Sequence, residues 1–197
     1  MGSEMCIRDR DETVFQHETG KARKIAPEEL GPTKKVVFPE LPKVRKKRIE
    51  TLKQKNSAII KAQPWTLGLV ETFGAVEVVK RQRFDTKNRM ALILLDSNFE
   101  IALKEFIVNR TDLFPINTYN DSKIASLFKN RPNVINEVVA KVPKIGPLTP
   151  KISYYYKLRN KLIHERATVG VTDHQIEDYR ATVEQVLTEL FGLSFIT

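Results

Sequence analysis

The stretch from Thr86 to Asn109 constrains the fold of this chain more than any other segment. At 100° per residue, its side chains form two rows, largely apolar, that together cover much of a helix circumference. One row holds Met90, Ile93, Leu94, Ser97, Ile101, Lys104 and Val108, and a broader row holds Leu95, Phe99, Ala102, Leu103, Phe106 and Ile107. Because a helix with apolar residues on so many sides must be covered by other elements, we predict that it is the central helix.

Helical signals also occur on both sides of this central segment. Pro64 begins an apolar stripe with helical spacing that continues to about Gln82. The other expected helices cover residues 121–129 and 133–142, a segment that ends near His164, and a last segment that follows the capping box of Thr172 and Gln175 and ends at Gly192. No strand signal of any weight occurs after residue 64, so the sequence predicts an all-α helical bundle over residues 64–197.

Residues 1–63 differ from the rest of the chain in charge and in proline content. They carry 15 Lys and Arg against 9 Asp and Glu, whereas residues 64–197 carry 18 against 15. Three prolines between residues 32 and 42 interrupt regular structure, and Lys43–Lys55 holds seven basic residues and one acid. We predict that residues 1–63 are an irregular basic extension or linker, and one interpretation makes them the tail of an upstream domain. We expect the bundle to be stable without them, so that a protease-resistant fragment begins near Pro64.

The composition of the chain limits the kinds of binding site and the kinds of partner that we expect for it. Cys6 is the only cysteine, which excludes an intrachain disulfide and a zinc site built from cysteines. No histidine has metal-ligand spacing with an acidic cluster, and no phosphate-binding glycine motif is present, so we expect no metal and no cofactor. No apolar run could span a membrane or act as a signal core, which favours a cytoplasmic protein without a membrane partner. The net charge of +9 favours RNA or another polyanion, with solubility alone as the alternative reason.

The strongest candidate for chemistry is the six-residue segment from Arg159 to His164. Leu158 and Leu162 mark one side of an amphipathic helix, and Asn160 and His164 lie four residues apart on the margin of that side. Arg159 and His164 are five residues apart, about 140° around the axis, so they cannot be neighbours on one straight helix. Arginine offers paired donors to a phosphate, and histidine can act as an acid or a base near neutral pH.

The pattern Arg-Asn-x-x-x-His, placed late in a helical region, resembles the R-x(4–6)-H motif of HEPN domains. These small helical bundles include many metal-independent endoribonucleases of defence and toxin–antitoxin systems. The resemblance covers about residues 64–197 and implies that Arg159, Asn160 and His164 form the catalytic site. It also implies a homodimer, because HEPN nucleases typically build the site at a dimer interface. An acid on the central helix would orient the arginine, and we select Glu100 for this role.

Other interpretations of the same residues stay open. Arg159 can pair with an acid on a neighbouring helix, and His164 can be a structural residue near a helix end. Glu100 can form a solvated pair with Lys104, four residues further along the same helix. The alternative function is a non-catalytic HEPN-like module that dimerises or binds nucleic acid, attached to an upstream or neighbouring domain.

Overall fold

The computed structural model describes residues 43–164 and 170–195. The helices are α1 (Lys43–Lys55), α2 (Ser57–Ala62), α3 (Thr66–Lys80), α4 (Lys87–Asn109), α5 (Asp121–Leu127), α6 (Arg131–Lys141), α7 (Thr149–His164) and α8 (Asp173–Phe191), with a 3₁₀ helix, Pro143–Leu148, before α7. Over these residues the chain contains no strand, so the prediction of an all-α helical bundle is confirmed for them. None of the helices in the described ranges is long and apolar enough to cross a membrane.

Helix α4 lies at the centre of the bundle, as its two apolar rows predict. It packs against α3, α6, α7 and α8, and its broader row supplies much of the core. Leu95 and Phe99 are fully buried. Phe106 meets Phe191 of α8 edge to face, with ring centroids 5.7 Å apart, which is a favoured geometry for aromatic pairs. The other row is not covered in this way: Met90, Ile101 and Val108 are 44%, 53% and 47% exposed, so α4 is central through its broader row, and the prediction that both rows are covered is wrong.

The predicted signals at the ends of α8 are present in the structure. The Thr172 hydroxyl accepts a hydrogen bond from the backbone N–H of Gln175, and the Gln175 side chain accepts one from the backbone N–H of Thr172. This reciprocal pair is the expected capping box. At the other end, Gly192 has a φ of 72°, a left-handed conformation that glycine adopts without steric cost.

The compact unit begins before the predicted boundary at Pro64. Helices α1 and α2 belong to the same unit as the later helices, and Leu52 of α1 is buried in the core. The Asn56 amide donates to the backbone carbonyl of Ser194 at 2.8 Å, and its oxygen accepts from the Ser194 N–H at 2.8 Å. Because so many residues of α1 are basic, its few buried positions do not form a recognisable apolar pattern in the sequence. Residues 1–42 of the predicted extension lie outside the described residues.

Candidate active site

Three of the four predicted site residues lie on α7, where the helix holds Arg159 and His164 apart. Because α7 continues to His164, these two residues are about 140° apart around its axis. Arg159 faces the bundle with 22% of its side chain exposed, whereas His164 is exposed at the last position of the helix. Asn160 lies beside Arg159, and its Oδ1 accepts a hydrogen bond from Arg159 Nη1 at 3.0 Å. One chain therefore brings Arg159 and Asn160 together and leaves His164 apart from Arg159.

The acid that meets Arg159 is Asp96, which lies one helical turn before Glu100 on α4. Arg159 Nε is 3.4 Å from Asp96 Oδ2, and the Asp96 side chain is fully buried. Glu100 instead forms an ion pair with Lys104 at 2.6 Å, and its other oxygen lies 3.7 Å from Nη1 of Arg131. The choice of Glu100 is corrected on this point, because four residues displace a carboxylate by about 6 Å along a helix. Glu100 makes the i,i+4 pair that was its alternative interpretation.

Two residues that the sequence analysis did not select, Arg131 and Tyr179, hold Asp96 in place. Nη1 and Nη2 of Arg131 donate to the two oxygens of Asp96, each at 2.6 Å. The Tyr179 hydroxyl donates to Oδ1 of the same carboxylate at 2.7 Å. The Arg131 side chain is only 3% exposed, so this ion pair is withdrawn from water. Three hydrogen bonds, two of them from a cation, offset the cost of burying the Asp96 charge.

The pKa values of Tyr179 and Arg131 are consistent with this setting. Burial and the adjacent Asp96 carboxylate raise the pKa of the Tyr179 hydroxyl well above its usual range, although Arg131 acts in the opposite direction. Burial lowers the pKa of the Arg131 guanidinium, but the hydrogen bonds and the charge of Asp96 outweigh it, so the net shift is upward. At neutral pH, Tyr179 is therefore a neutral donor and Arg131 a cation.

A ring on α7 completes the surroundings of Arg131. Its guanidinium carbon lies 4.4 Å from the centroid of the Tyr156 ring and 5.6 Å from that of Phe99. Such cation–π contacts add to the ion pair in fixing the guanidinium. Tyr156 is only partly buried and lies one turn before Asn160 on α7, so this ring lies between the buried cluster and the surface.

Arg159 keeps most of its hydrogen-bonding capacity. A guanidinium carries five N–H donors, and within the described residues the Arg159 side chain makes one hydrogen bond, to Asn160. Its Nε is near Asp96 but makes no hydrogen bond there. Nη2 and the second hydrogen of Nη1 can be offered to an anion such as a phosphate, whereas Nε is buried against Asp96; Asn160 lies beside these donors, with His164 one turn after Asn160.

Sequence reasoning missed Arg131, Tyr179 and Asp96 for different reasons. Asp96 had a usable signal, because it lies among buried apolar positions of α4, four residues after Leu92 and three before Phe99. Tyr179 has the spacing of a core position in α8, and no local pattern shows that its hydroxyl is buried against a carboxylate. Arg131 resembles an exposed residue at a helix start, because Asn130 caps α6. Its burial follows from contact with α4, which no local pattern reports.

No group of three or more His, Cys, Asp or Glu positioned to hold a metal ion occurs in residues 43–164 and 170–195. Comparison of the chain with protein-family models, with curated proteins and with solved structures found no match. The residues of the site and their geometry are therefore the basis for assigning a function.

Proposed function

We propose that this chain is a metal-independent endoribonuclease of HEPN type that acts as a homodimer, with Arg159, Asn160 and His164 as its site. One observation carries this proposal: Arg159 lies beside the buried Asp96, and most of its N–H donors make no hydrogen bond within the described residues. A guanidinium whose Nε lies against a buried carboxylate, and whose Nη2 has no hydrogen-bond partner among the described residues, is suited to the non-bridging oxygens of a phosphodiester. The HEPN resemblance adds RNA as the substrate and a defence or toxin–antitoxin context.

The proposed reaction needs a base, an acid and a cation. The ribose 2′-oxygen attacks the adjacent phosphorus, its proton passes to an imidazole, and the bond from phosphorus to the 5′-oxygen breaks. A second imidazole, in its protonated form, donates a proton to the leaving 5′-oxygen. Arg159 stabilises the charge that grows on the phosphoryl oxygens, and Asn160 orients the guanidinium through its hydrogen bond. The products are a 2′,3′-cyclic phosphate and a 5′-hydroxyl end.

The homodimer is proposed because one chain lacks a second histidine and holds its own His164 away from Arg159. A single chain supplies one His164, and α7 turns it away from its own Arg159. A two-fold axis that brings two α7 helices together would place two His164 residues and two Arg159 residues in one groove. Ile163, which is 47% exposed, adds apolar surface to this face. Sedimentation at micromolar concentration should show a dimer, and a monomer under those conditions removes the shared-groove model.

Cleavage of single-stranded RNA in excess EDTA tests the activity. The wild-type protein should leave 2′,3′-cyclic phosphate ends, because a side-chain base then acts on the 2′-hydroxyl. His164→Ala removes the proton transfer and should lower the rate about 10²–10⁴-fold. Arg159→Ala should lower it comparably, because the phosphate loses its clamp. The control is Lys141→Ala, which removes an exposed charge at the end of α6 farthest from Arg131 and should change the rate little.

Circular dichroism should show the same helical content in every variant. Equal cleavage by the wild-type protein and by His164→Ala would assign the activity to a contaminant and reject the proposal. If neither protein cleaves RNA but both bind it equally, the chain is the non-catalytic nucleic-acid-binding module.

A further inference from the structure

Two arginines face one buried carboxylate, and they are not equivalent. All three side-chain hydrogen bonds that Asp96 accepts come from Arg131 and Tyr179. Arg159 approaches the same carboxylate to 3.4 Å through Nε, without forming a hydrogen bond. Arg131 is nearly inaccessible to water, whereas Arg159 is 22% exposed. Arg131 therefore occupies the carboxylate, and Arg159 remains next to it.

The carboxylate has room for a further donor on the side of Arg159. Two carboxylate oxygens can accept about four hydrogen bonds, and Asp96 Oδ2 accepts one, from Arg131 Nη1. A fully buried carboxylate without a cationic partner is strongly disfavoured. Among the described residues, Arg159 is the other cation within 4 Å of Asp96. Without Arg131, a movement of less than about 1 Å would bring Arg159 into hydrogen-bonding distance of Asp96.

We propose that Arg131 is a positioning residue for the Arg159 site: it neutralises Asp96 and thereby leaves the Arg159 guanidinium available to a phosphodiester. The Tyr156 ring, 4.4 Å from the guanidinium carbon, keeps Arg131 in this role. This inference rests on the proposed function, because the anion that Arg159 receives is the RNA backbone. Arg131 itself touches no substrate, since its side chain is only 3% exposed.

The test compares RNA binding by Arg131→Met with that of the double variant Asp96→Asn/Arg131→Met. The probe is a fluorescein-labelled single-stranded RNA with 2′-O-methyl groups throughout, which cannot be cleaved, and anisotropy at fixed salt gives its affinity. In Arg131→Met, Arg159 should close onto Asp96, so affinity should fall about 10- to 100-fold, and Arg159→Ala should show a loss of similar size. In the double variant the acid is gone, Arg159 is released, and affinity should return to the wild-type value.

Arg180→Met is a matched control for the loss of a buried arginine. Arg180 is 12% exposed and pairs with Glu77 of α3 and with Glu184, away from α6 and α7. This variant should lose stability and keep its affinity for the probe. Arg131→Lys retains the positive charge and should also bind close to the wild-type level. If Arg131→Met does not fold, Arg131→Gln takes its place, because it also removes the positive charge beside Asp96 and should bind as weakly as Arg159→Ala.

Recovery of RNA affinity in the double variant distinguishes a positioning role of Arg131 from a purely structural one. Wild-type affinity in Arg131→Met, or weak binding in the double variant, overturns it. A crystal structure of Arg131→Met adds a readout that does not depend on RNA: Arg159 should donate two hydrogen bonds to Asp96, at about 3 Å or less. If the wild-type protein binds no RNA, the proposed function fails, and this geometry alone decides whether Arg131 controls Arg159.

Discussion

Tyr179→Phe is the most informative single change in the buried cluster. It removes one oxygen atom, which donates a hydrogen bond of 2.7 Å to Asp96. The phenylalanine ring can keep the stacked contact with Tyr155, whose centroid lies 4.5 Å away. The variant therefore isolates one hydrogen bond to a buried charge, while Arg131 still donates two.

The expected loss of stability follows from the charge of the acceptor. A hydrogen bond to a charged group contributes about 1.5–3 kcal/mol, so we expect Tyr179→Phe to lower the free energy of unfolding by about 2 kcal/mol. For a domain of 150–250 residues this corresponds to a decrease of about 4–8 °C in the melting temperature. Urea denaturation and a thermal scan followed by circular dichroism measure both quantities.

Tyr154→Phe is the matched control. Its hydroxyl accepts a hydrogen bond from Gln175 Nε2 at 2.9 Å, but the residue is 50% exposed, so water can replace the contact. We expect its stability to stay within about 0.5 kcal/mol of the wild-type value. If Tyr179→Phe is equally close to the wild type, the buried hydroxyl does not support Asp96, and the description of the cluster fails.

The pH dependence gives a second check with a defined sign. Burial and the Asp96 carboxylate raise the pKa of Tyr179 in the folded protein, whereas an unfolded tyrosine ionises near pH 10. Above about pH 10 the folded wild type therefore binds more protons than the unfolded chain, and it loses up to about 1.4 kcal/mol per pH unit through Tyr179. The phenylalanine variant lacks this loss. The stability gap between the two proteins should narrow above pH 10, and a constant gap would contradict the raised pKa.

Two further predictions concern the packing of α1. Gly74→Ala should destabilise the protein by about 1–2 kcal/mol in urea denaturation, because the added Cβ overlaps Ile49 of α1 and overpacking outweighs the gain in helix propensity. Gly68→Ala, which meets open space, should instead stabilise by about 0.5–1 kcal/mol, and equal effects of the two changes would contradict the close approach of α1 to α3. A fragment of residues 64–197 should melt at a lower temperature than one of residues 43–197, because it lacks Leu52 and the contacts of Asn56 with Ser194. Limited proteolysis should accordingly leave Leu52 and Asn56 inside the protected fragment, and a fragment beginning near residue 64 would contradict this.

Local patterns in the sequence identified the helices that follow Pro64 and both ends of α8, but not α1 and α2. The broader apolar row of α4 identified the central helix, because each residue of a helix faces a direction set by its position. The capping box of Thr172 and Gln175 and the left-handed Gly192 were also readable, since each depends on backbone groups a few residues away. For the same reason the sequence showed that Arg159 and His164 cannot be neighbours on one helix.

The partners of those helices were decided only by the tertiary structure. Asp96 and Arg131 are separated by 35 residues, and Asp96 and Tyr179 by 83, so no periodicity could pair them. Asp96 and Glu100 are one helical turn apart on α4, and only the packing of α6 and α7 determines which of the two carboxylates is covered and meets Arg159. Burial then fixed their roles, because the fully buried Asp96 must have a cation beside it, whereas Glu100, which is 26% exposed, pairs with Lys104 of its own helix.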